Sequence, residues 1–376
     1  MSSLNAVFMG TPEIASESLF YIAELEKLNV ICLKSVYAKP PVWNNKKKEF
    51  TVSPVGKSAS ELGISVRTPK SLKNNAEEIN FLKSLDLDLI IVVAFGLIIP
   101  AEILNIPKYG ILNLHPSLLP DLRGPSPIHY AILKRMKFSG VSIMALDEGV
   151  DTGPVIAQQK ISIDRDEYFQ TLYKKMSLSG ALLLAEVIKT VFKLRINVSK
   201  LGLPQTQAYL GSFSLTASLT GLITQDKFKT DFFSDDPLEI YAKTRAFAET
   251  GGAFFVFRNK NVKIIEARLI ADENYENCGN NKTKEKYFDN DAERRIFDYC
   301  DYTDYFPSAF LQGIKGMMPD VPAGVIIKAD KAGLIVSTVK KGIYIQLLKL
   351  KPEGKNVMNY VDFINGFRLK QGEECR

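Results

Sequence analysis

Two rhythms of apolar and polar positions take turns along the first half of the chain. Short apolar runs predict strands at Ala6 to Met9, Val30 to Leu33, Leu89 to Val93, Gly110 to Asn113, Val141 to Leu146 and Val155 to Gln159. Stretches with helical spacing lie among them, from Glu13 to about Leu28, from Ser53-Pro54 to near Gly63, and from about Tyr168 to Leu194. The run Leu89 to Val93 is apolar almost without a break, as expected of a central parallel strand covered on both faces. This βαβ alternation predicts a doubly wound, mostly parallel α/β domain over residues 1–195, with ligands at the carboxyl ends of its strands.

The pattern then changes. Residues 196–212 are polar, carry Gly202, Pro204 and Gly211, and are expected to be a linker. Beyond them a helix is expected at about Asp236 to Ala248. Short strands follow at Ala253 to Phe257, Val262 to Leu269, Gly324 to Ala329, Gly333 to Val339 and Gly342 to Leu350. Several short strands with glycine turns predict a small β-barrel over residues 213–376. Residues 272–319, rich in Asn, Lys, Asp and Tyr, interrupt it as an insertion.

Composition narrows the function classes. With 376 residues, two domains are the better expectation. The 46% hydrophobic and 24% charged content fits a globular protein, and no apolar run is long enough to span a bilayer, so no membrane partner is expected. The first residues are expected to lead directly into a strand, so no signal or transit segment is expected. Four cysteines are scattered without metal-type spacing, and there are only two histidines, His115 and His129. A zinc site is not expected, and reduced thiols point to the cytoplasm. A net charge of +6 permits a polyanionic partner without requiring one.

The chemistry concentrates in Asn113-Leu114-His115-Pro116-Ser117-Leu118-Leu119-Pro120 and Val150-Asp151-Thr152-Gly153. Asn113 and His115 stand one residue apart on a strand end, so their side chains point the same way. An amide, an imidazole and the Asp151 carboxylate, with no nucleophile pair beside them, suit direct acyl transfer. The amide and imidazole would hold the oxyanion of a tetrahedral intermediate, and the carboxylate would orient the imidazole and relay protons. His129, at a helix start, is expected to be structural or on the surface.

On these residues the chain resembles the methionyl-tRNA formyltransferases. The resemblance is carried by Phe8-Met9-Gly10-Thr11-Pro12-Glu13-Ile14-Ala15, by residues 92–100, by residues 113–120, by Arg123-Gly124 with Pro127-Ile128, and by residues 140–153. In the second half it is carried by Ile223-Thr224-Gln225-Asp226, Asp231-Phe232, Arg245-Ala246-Phe247 and residues 350–358. It implies a formyltransferase-like Rossmann variant followed by an OB-like barrel. It implies formyl transfer from 10-formyltetrahydrofolate, without a metal, to the methionine amine of initiator Met-tRNA for translation initiation, by a cytoplasmic enzyme expected to be a monomer. Phe95, Gly96, Leu97 and Ile98 with Ser117, Leu118, Leu119 and Pro120 would line the folate slot, largely through backbone groups, with Asp147 a further candidate that could equally be a turn residue. Asp121, Pro154 and an arginine-free basic loop depart from the family pattern.

That loop carries Trp43, Lys46, Lys47 and Lys48. A lysine run is by default a solvated face; a neighbouring aromatic that can stack on an unpaired base turns it into a candidate tRNA contact. The alternatives that stay open are formyl transfer to a small amine such as glycinamide ribonucleotide or an amino sugar, hydrolysis of the formyl folate, and an RNA-binding module on an inactive formyltransferase fold.

Overall fold

The computed structural model describes residues 2–45, 47–206, 218–271 and 321–376. Lys46, residues 207–217 at the expected linker and domain start, and the expected insertion at 272–319 lie outside the described residues. The chain divides into two compact units. One comprises Met1–Pro127, Ser139–Ser162 and Tyr173–Thr220; the other comprises Ile128–Phe138, Ile163–Leu172 and Gly221–Arg376.

The first unit contains strands β1 (Leu4–Gly10), β2 (Ile31–Tyr37), β3 (Val42–Asn44), β4 (Glu49–Thr51), β5 (Val66–Arg67), β6 (Leu89–Val93), β7 (Ile111–His115), β8 (Phe138–Ala145) and β9 (Val155–Ser162). Seven of them form one sheet in the order β5-β2-β1-β6-β7-β8-β9. From β5 to β7 the pairing is parallel, and β8 runs antiparallel to β7. The strand order changes direction between β1 and β6, which makes the carboxyl ends of those strands the natural ligand crevice. The strand ends there are tied together: Thr11 Oγ1 donates to Phe95 O at 2.8 Å and accepts from Lys39 N at 3.3 Å.

Strand alternation fills a core on each face. Ala6 and Phe8 of β1, with Leu89, Ile91 and Val93 of β6, pack against α1 (Glu13–Lys27) and α6 (Phe169–Leu194) through Ile14, Leu19, Ile22, Leu184, Ile188 and Val191. Val7 and Met9, with Ile90 and Val92, enter the other core, with Leu82 of α3 (Ala76–Ser84) and Ile103 of α4 (Ala101–Leu104). Each fully buried Leu, Ile or Phe contributes about 1.5–3 kcal/mol of transfer free energy. Helix α2 (Pro54–Glu61) starts where Ser53-Pro54 predicts, with Ser53 Oγ accepting from Gly56 N at 3.1 Å.

The stretch expected as a plain lysine loop has a folded stem. β3 and β4 form a hairpin in which Trp43 stands directly opposite Phe50, edge to face at 5.1 Å between ring centroids. An aromatic cross-strand pair fixes register in strands this short.

In the second unit α5 (Pro127–Leu133) precedes α7 (Pro237–Phe247), which opens at Asp236, whose Oδ1 accepts from Leu238 N at 2.8 Å. Strands β10 (Ala253–Phe257), β11 (Lys260–Ala271), β12 (Ile326–Asp330), β13 (Gly333–Ser337), β14 (Ile343–Pro352) and β15 (Met358–Asn359) form an antiparallel sheet, followed by α8 (Tyr360–Phe367). The last residues join its two edges. Arg376 exchanges two backbone hydrogen bonds with Val256 of β10, while Glu373 O accepts from Ile326 N of β12 and Cys375 N donates to Gly324 O. Closure into a barrel removes the exposed strand edges. Its interior holds Phe255, Phe257, Val262, Ile264, Ile345, Leu347, Phe363 and Cys375.

Candidate active site

Strand β7 changes character along its length. Leu112 and Leu114 face the helices α1 and α6, whereas Asn113 and His115 share the opposite face with Ile111. Asn113 is 8% exposed and His115 5% exposed, so two polar side chains are buried at the carboxyl end of a central strand. Such a placement costs free energy unless each polar group is met by a partner.

The partners come from two loops. His115 Nδ1 lies 3.5 Å from Asp151 Oδ2. His115 Nε2 lies 3.0 Å from Leu122 O. A carbonyl accepts only, so the single proton of the neutral ring sits on Nε2, and Nδ1 is the basic nitrogen facing the carboxylate. Burial lowers the pKa of His115; Asp151 and the Leu122 carbonyl oppose that shift in part. The imidazole is therefore held neutral, with a carboxylate ready to stabilise a second proton.

Asp151 is itself fixed from two sides. Its Oδ2 accepts from Gly124 N at 2.8 Å, and its backbone carbonyl accepts from Gln205 Nε2 at 2.8 Å. Its φ of 51° is in the left-handed region, which a non-glycine residue holds only under constraint.

The turn Ser117-Leu118-Leu119-Pro120 is buried, and much of its backbone is satisfied within the protein. Ser142 Oγ accepts from Leu119 N and donates to Ser117 O, Gln158 Nε2 donates to Leu119 O, and Leu118 O accepts from Asp121 N. At the end of β6, Phe95 is buried, Leu97 packs partly into the core and Ile98 is 80% exposed. Gly96 has φ 75°, and a Cβ there would stand 2.5 Å from Lys39 Nζ, so the bare glycine gives the Lys39 side chain its seat. The neighbours β6 and β7 place Val93 opposite Leu114, which sets this turn beside the His115 end of the next strand.

Asp147 organises the turn that leads to Asp151. It accepts from Thr152 Oγ1 at 2.8 Å and from Gly149 N at 3.1 Å. Trp43 is half-exposed on its hairpin, together with exposed Val42 and Phe50. The Lys47 ammonium lies 3.9 Å from Glu49, and Lys48 turns the hairpin with φ 53°.

His129 belongs to the second unit, where it stacks on Phe169 at 4.2 Å between centroids. Burial pushes its pKa down to about 4, and its Nε2 has no hydrogen-bond partner among the described residues. It is structural.

Sequence reasoning did not reach the Leu122 carbonyl, a backbone group that no side-chain pattern marks, nor the Gly124 N–H, Ser142, Gln158 or Gln205, which act across separations of more than twenty residues. Among the described residues no group of three or more His, Cys, Asp and Glu is placed to hold a metal ion, and no helix is long and apolar enough to cross a membrane.

Residues 6–188 match the formyl transferase family, and residues 222–296 match the formyl transferase C-terminal domain. The methionyl-tRNA formyltransferase of Dictyoglomus thermophilum is 33% identical over 370 residues, 98% of this chain and 99% of that protein. That of Wolbachia pipientis subsp. Culex pipiens is 37% identical over 270 residues, 71% of this chain and 82% of that protein. Among solved structures, HypX from Aquifex aeolicus in complex with tetrahydrofolic acid is similar with a TM-score of 0.57 at 15% identity. That likeness is one of fold; it covers 99% of this chain and 49% of HypX, so the chain spans about half of HypX's length.

Proposed function

The chain belongs to the methionyl-tRNA formyltransferase family, and we propose that it transfers the formyl group of 10-formyltetrahydrofolate to the methionine amine of initiator Met-tRNA, in the cytoplasm and as a monomer. The observation that carries the reading is the pairing at 3.5 Å of buried His115, on the strand end that also carries Asn113, with half-buried Asp151.

The residues divide the work. The free amine attacks the formyl carbon, and the Asn113 amide donates to the oxygen that becomes negative. One such donor in a buried site is worth about 10²–10³ in rate. Asp151 accepts the proton of the attacking nitrogen through water, and the His115–Asp151 pair holds it until the leaving folate nitrogen takes it up. One carbon–nitrogen bond forms, one breaks, and one proton moves between the two nitrogens. The low pKa of His115 keeps its ring neutral and able to take part in that relay at physiological pH.

The fit of a flat folate ring rests on the crevice at the β1–β6 switch point, with Phe95, Gly96, Leu97 and Ile98 on one side, the turn of Ser117, Leu118, Leu119 and Pro120 on the other, and Asp147 ordering the loop that completes it. Gly96 fits this role because its bare face is covered only by the flexible end of Lys39. Within this reading residues 1–195 form the catalytic domain, 196–212 the linker and 213–376 the tRNA-binding domain. Trp43 with Lys46, Lys47 and Lys48 contacts the tRNA by stacking and phosphate neutralisation.

One assay tests the reading. Purified protein is given 10-formyltetrahydrofolate with charged initiator Met-tRNA, with glycinamide ribonucleotide, or with neither. Formylmethionyl-tRNA is the expected product. Formylation of the ribonucleotide alone, or formate release at the same rate without an acceptor, overturns it.

A further inference from the structure

We propose that Gln205, Ser218 and Thr220, all in the first compact unit, are positioning residues that set the geometry of the His115–Asp151 pair. The inference rests on the reading of that pair as catalytic.

The short loop Leu122-Arg123-Gly124 holds both members of the pair at once. Leu122 O meets His115 Nε2, and Gly124 N donates to Asp151 Oδ2. Its backbone is constrained: Leu122 has φ 55° and Gly124 φ 106°. A loop in this state persists only when its surroundings over-determine it.

The surroundings are supplied by Ser218, Thr220 and Gln205. Leu122 N donates to Ser218 Oγ at 2.9 Å, and Arg123 N donates to Ser218 O at 2.9 Å. Thr220 N and Thr220 Oγ1 both donate to Arg123 O, at 2.7 and 3.0 Å, and Thr220 Oγ1 accepts from Ser126 N at 3.3 Å. The approach is close enough that a Cβ on Gly124 would stand 2.6 Å from Thr220 O. Gln205 Oε1 accepts from Arg123 Nε at 3.0 Å and Nη2 at 2.6 Å, while its Nε2 donates to Asp151 O at 2.8 Å and Gly153 O at 3.0 Å. All four hydrogen-bonding positions of this 5%-exposed amide are in use, and they link the loop under His115 to the turn that carries Asp151.

Gln205 is fixed to Asp151 and Arg123, Ser218 and Thr220 are fixed to the same loop, and all of these residues lie in the first unit. None of the three side chains has a place in the proton and oxyanion chemistry. They act through the rigidity they give to Leu122 O, Gly124 N and the Asp151 backbone.

The experiment compares Gln205→Ala, Ser218→Ala, Thr220→Val and the conservative Ser218→Thr, each alone and in an Asp151→Asn background. It reads kcat, both KM values, the pH dependence of kcat, and Tm. In the wild-type background, Gln205→Ala is expected to lower kcat by about 10- to 100-fold and to displace the pH profile, as loss of a group orienting a catalytic residue does. Ser218→Ala and Thr220→Val act in the same direction by roughly 3- to 10-fold, both KM values stay within about twofold, and Ser218→Thr restores the rate. In the Asp151→Asn background, Gln205→Ala adds little, because residues acting as one unit are not additive. Wild-type kcat and pH profile in the folded single variants, with Asp151→Asn strongly impaired, overturn the inference. Near-normal turnover of Asp151→Asn overturns the catalytic reading itself. A loss that tracks Tm alone, equal in both backgrounds, also overturns the inference, because it marks a purely structural role.

Discussion

Gly124 N donates to Asp151 Oδ2 at 2.8 Å, and the side chain that any other residue would carry at 124 would meet Thr220 O at 2.6 Å. The φ of 106° lies where only glycine is at ease. Gly124→Ala is therefore expected to lower stability by about 1–3 kcal/mol. It should also lower kcat disproportionately, because the Asp151 contact moves with the loop. Denaturant unfolding and steady-state kinetics on the same preparation check this. Unchanged kcat in a destabilised but folded variant would separate the loop from the chemistry.

His129 is expected to make the fold acid-sensitive. Its pKa is about 4 in the folded protein and about 6.5 when unfolded. Between those values the unfolded chain binds more protons than the folded one, so stability falls as pH falls through that window. The loss reaches as much as roughly 3 kcal/mol at its acid end. His129→Phe keeps the ring stacked on Phe169 and removes the titration, so the dependence of Tm on pH between about 4 and 6.5 should flatten. An unaltered slope would show that another group carries the acid sensitivity.

Gly96→Val introduces strain at φ 75° and drives Lys39 from its seat. The KM for 10-formyltetrahydrofolate should rise more than the KM for Met-tRNA, since the change is confined to the turn after β6. Equal effects on both substrates would place the folate ring elsewhere.

Replacing Lys46, Lys47 and Lys48 with alanine should weaken tRNA binding and reduce the slope of log affinity against log salt by up to about two to three units. Folate binding should be unaffected. If affinity and slope stay at wild-type values, the lysines are an ordinary solvated face.

Periodicity made much of this fold legible. The central strand at Leu89–Val93 has the bounds expected of it, and the long helix at Phe169–Leu194 and the strand at Ala253–Phe257 stand where their apolar spacing puts them. What escaped were elements too short for a period to show. The hairpin of β3 and β4 has three residues a side and depends on one aromatic pair. Helix α3 announces itself only through a cap, the Asn75 side chain on Glu78 N. The catalytic candidates were legible because Asn113 and His115 share a strand face and Asp151 sits in a compact motif. Gln205, Ser218 and Thr220 were not, because their partners lie more than fifty residues away and nothing local distinguishes them from a polar linker.

The central claim is that Asn113, His115 and Asp151 carry formyl transfer. The most direct measurement is single-turnover formylation of initiator Met-tRNA by the wild-type protein and by His115→Ala, with saturating 10-formyltetrahydrofolate and with unfolding followed in parallel. The account predicts a rate at least about a hundredfold lower for His115→Ala, with folding and both substrate affinities retained. A His115→Ala protein that formylates Met-tRNA at near wild-type rate would contradict it.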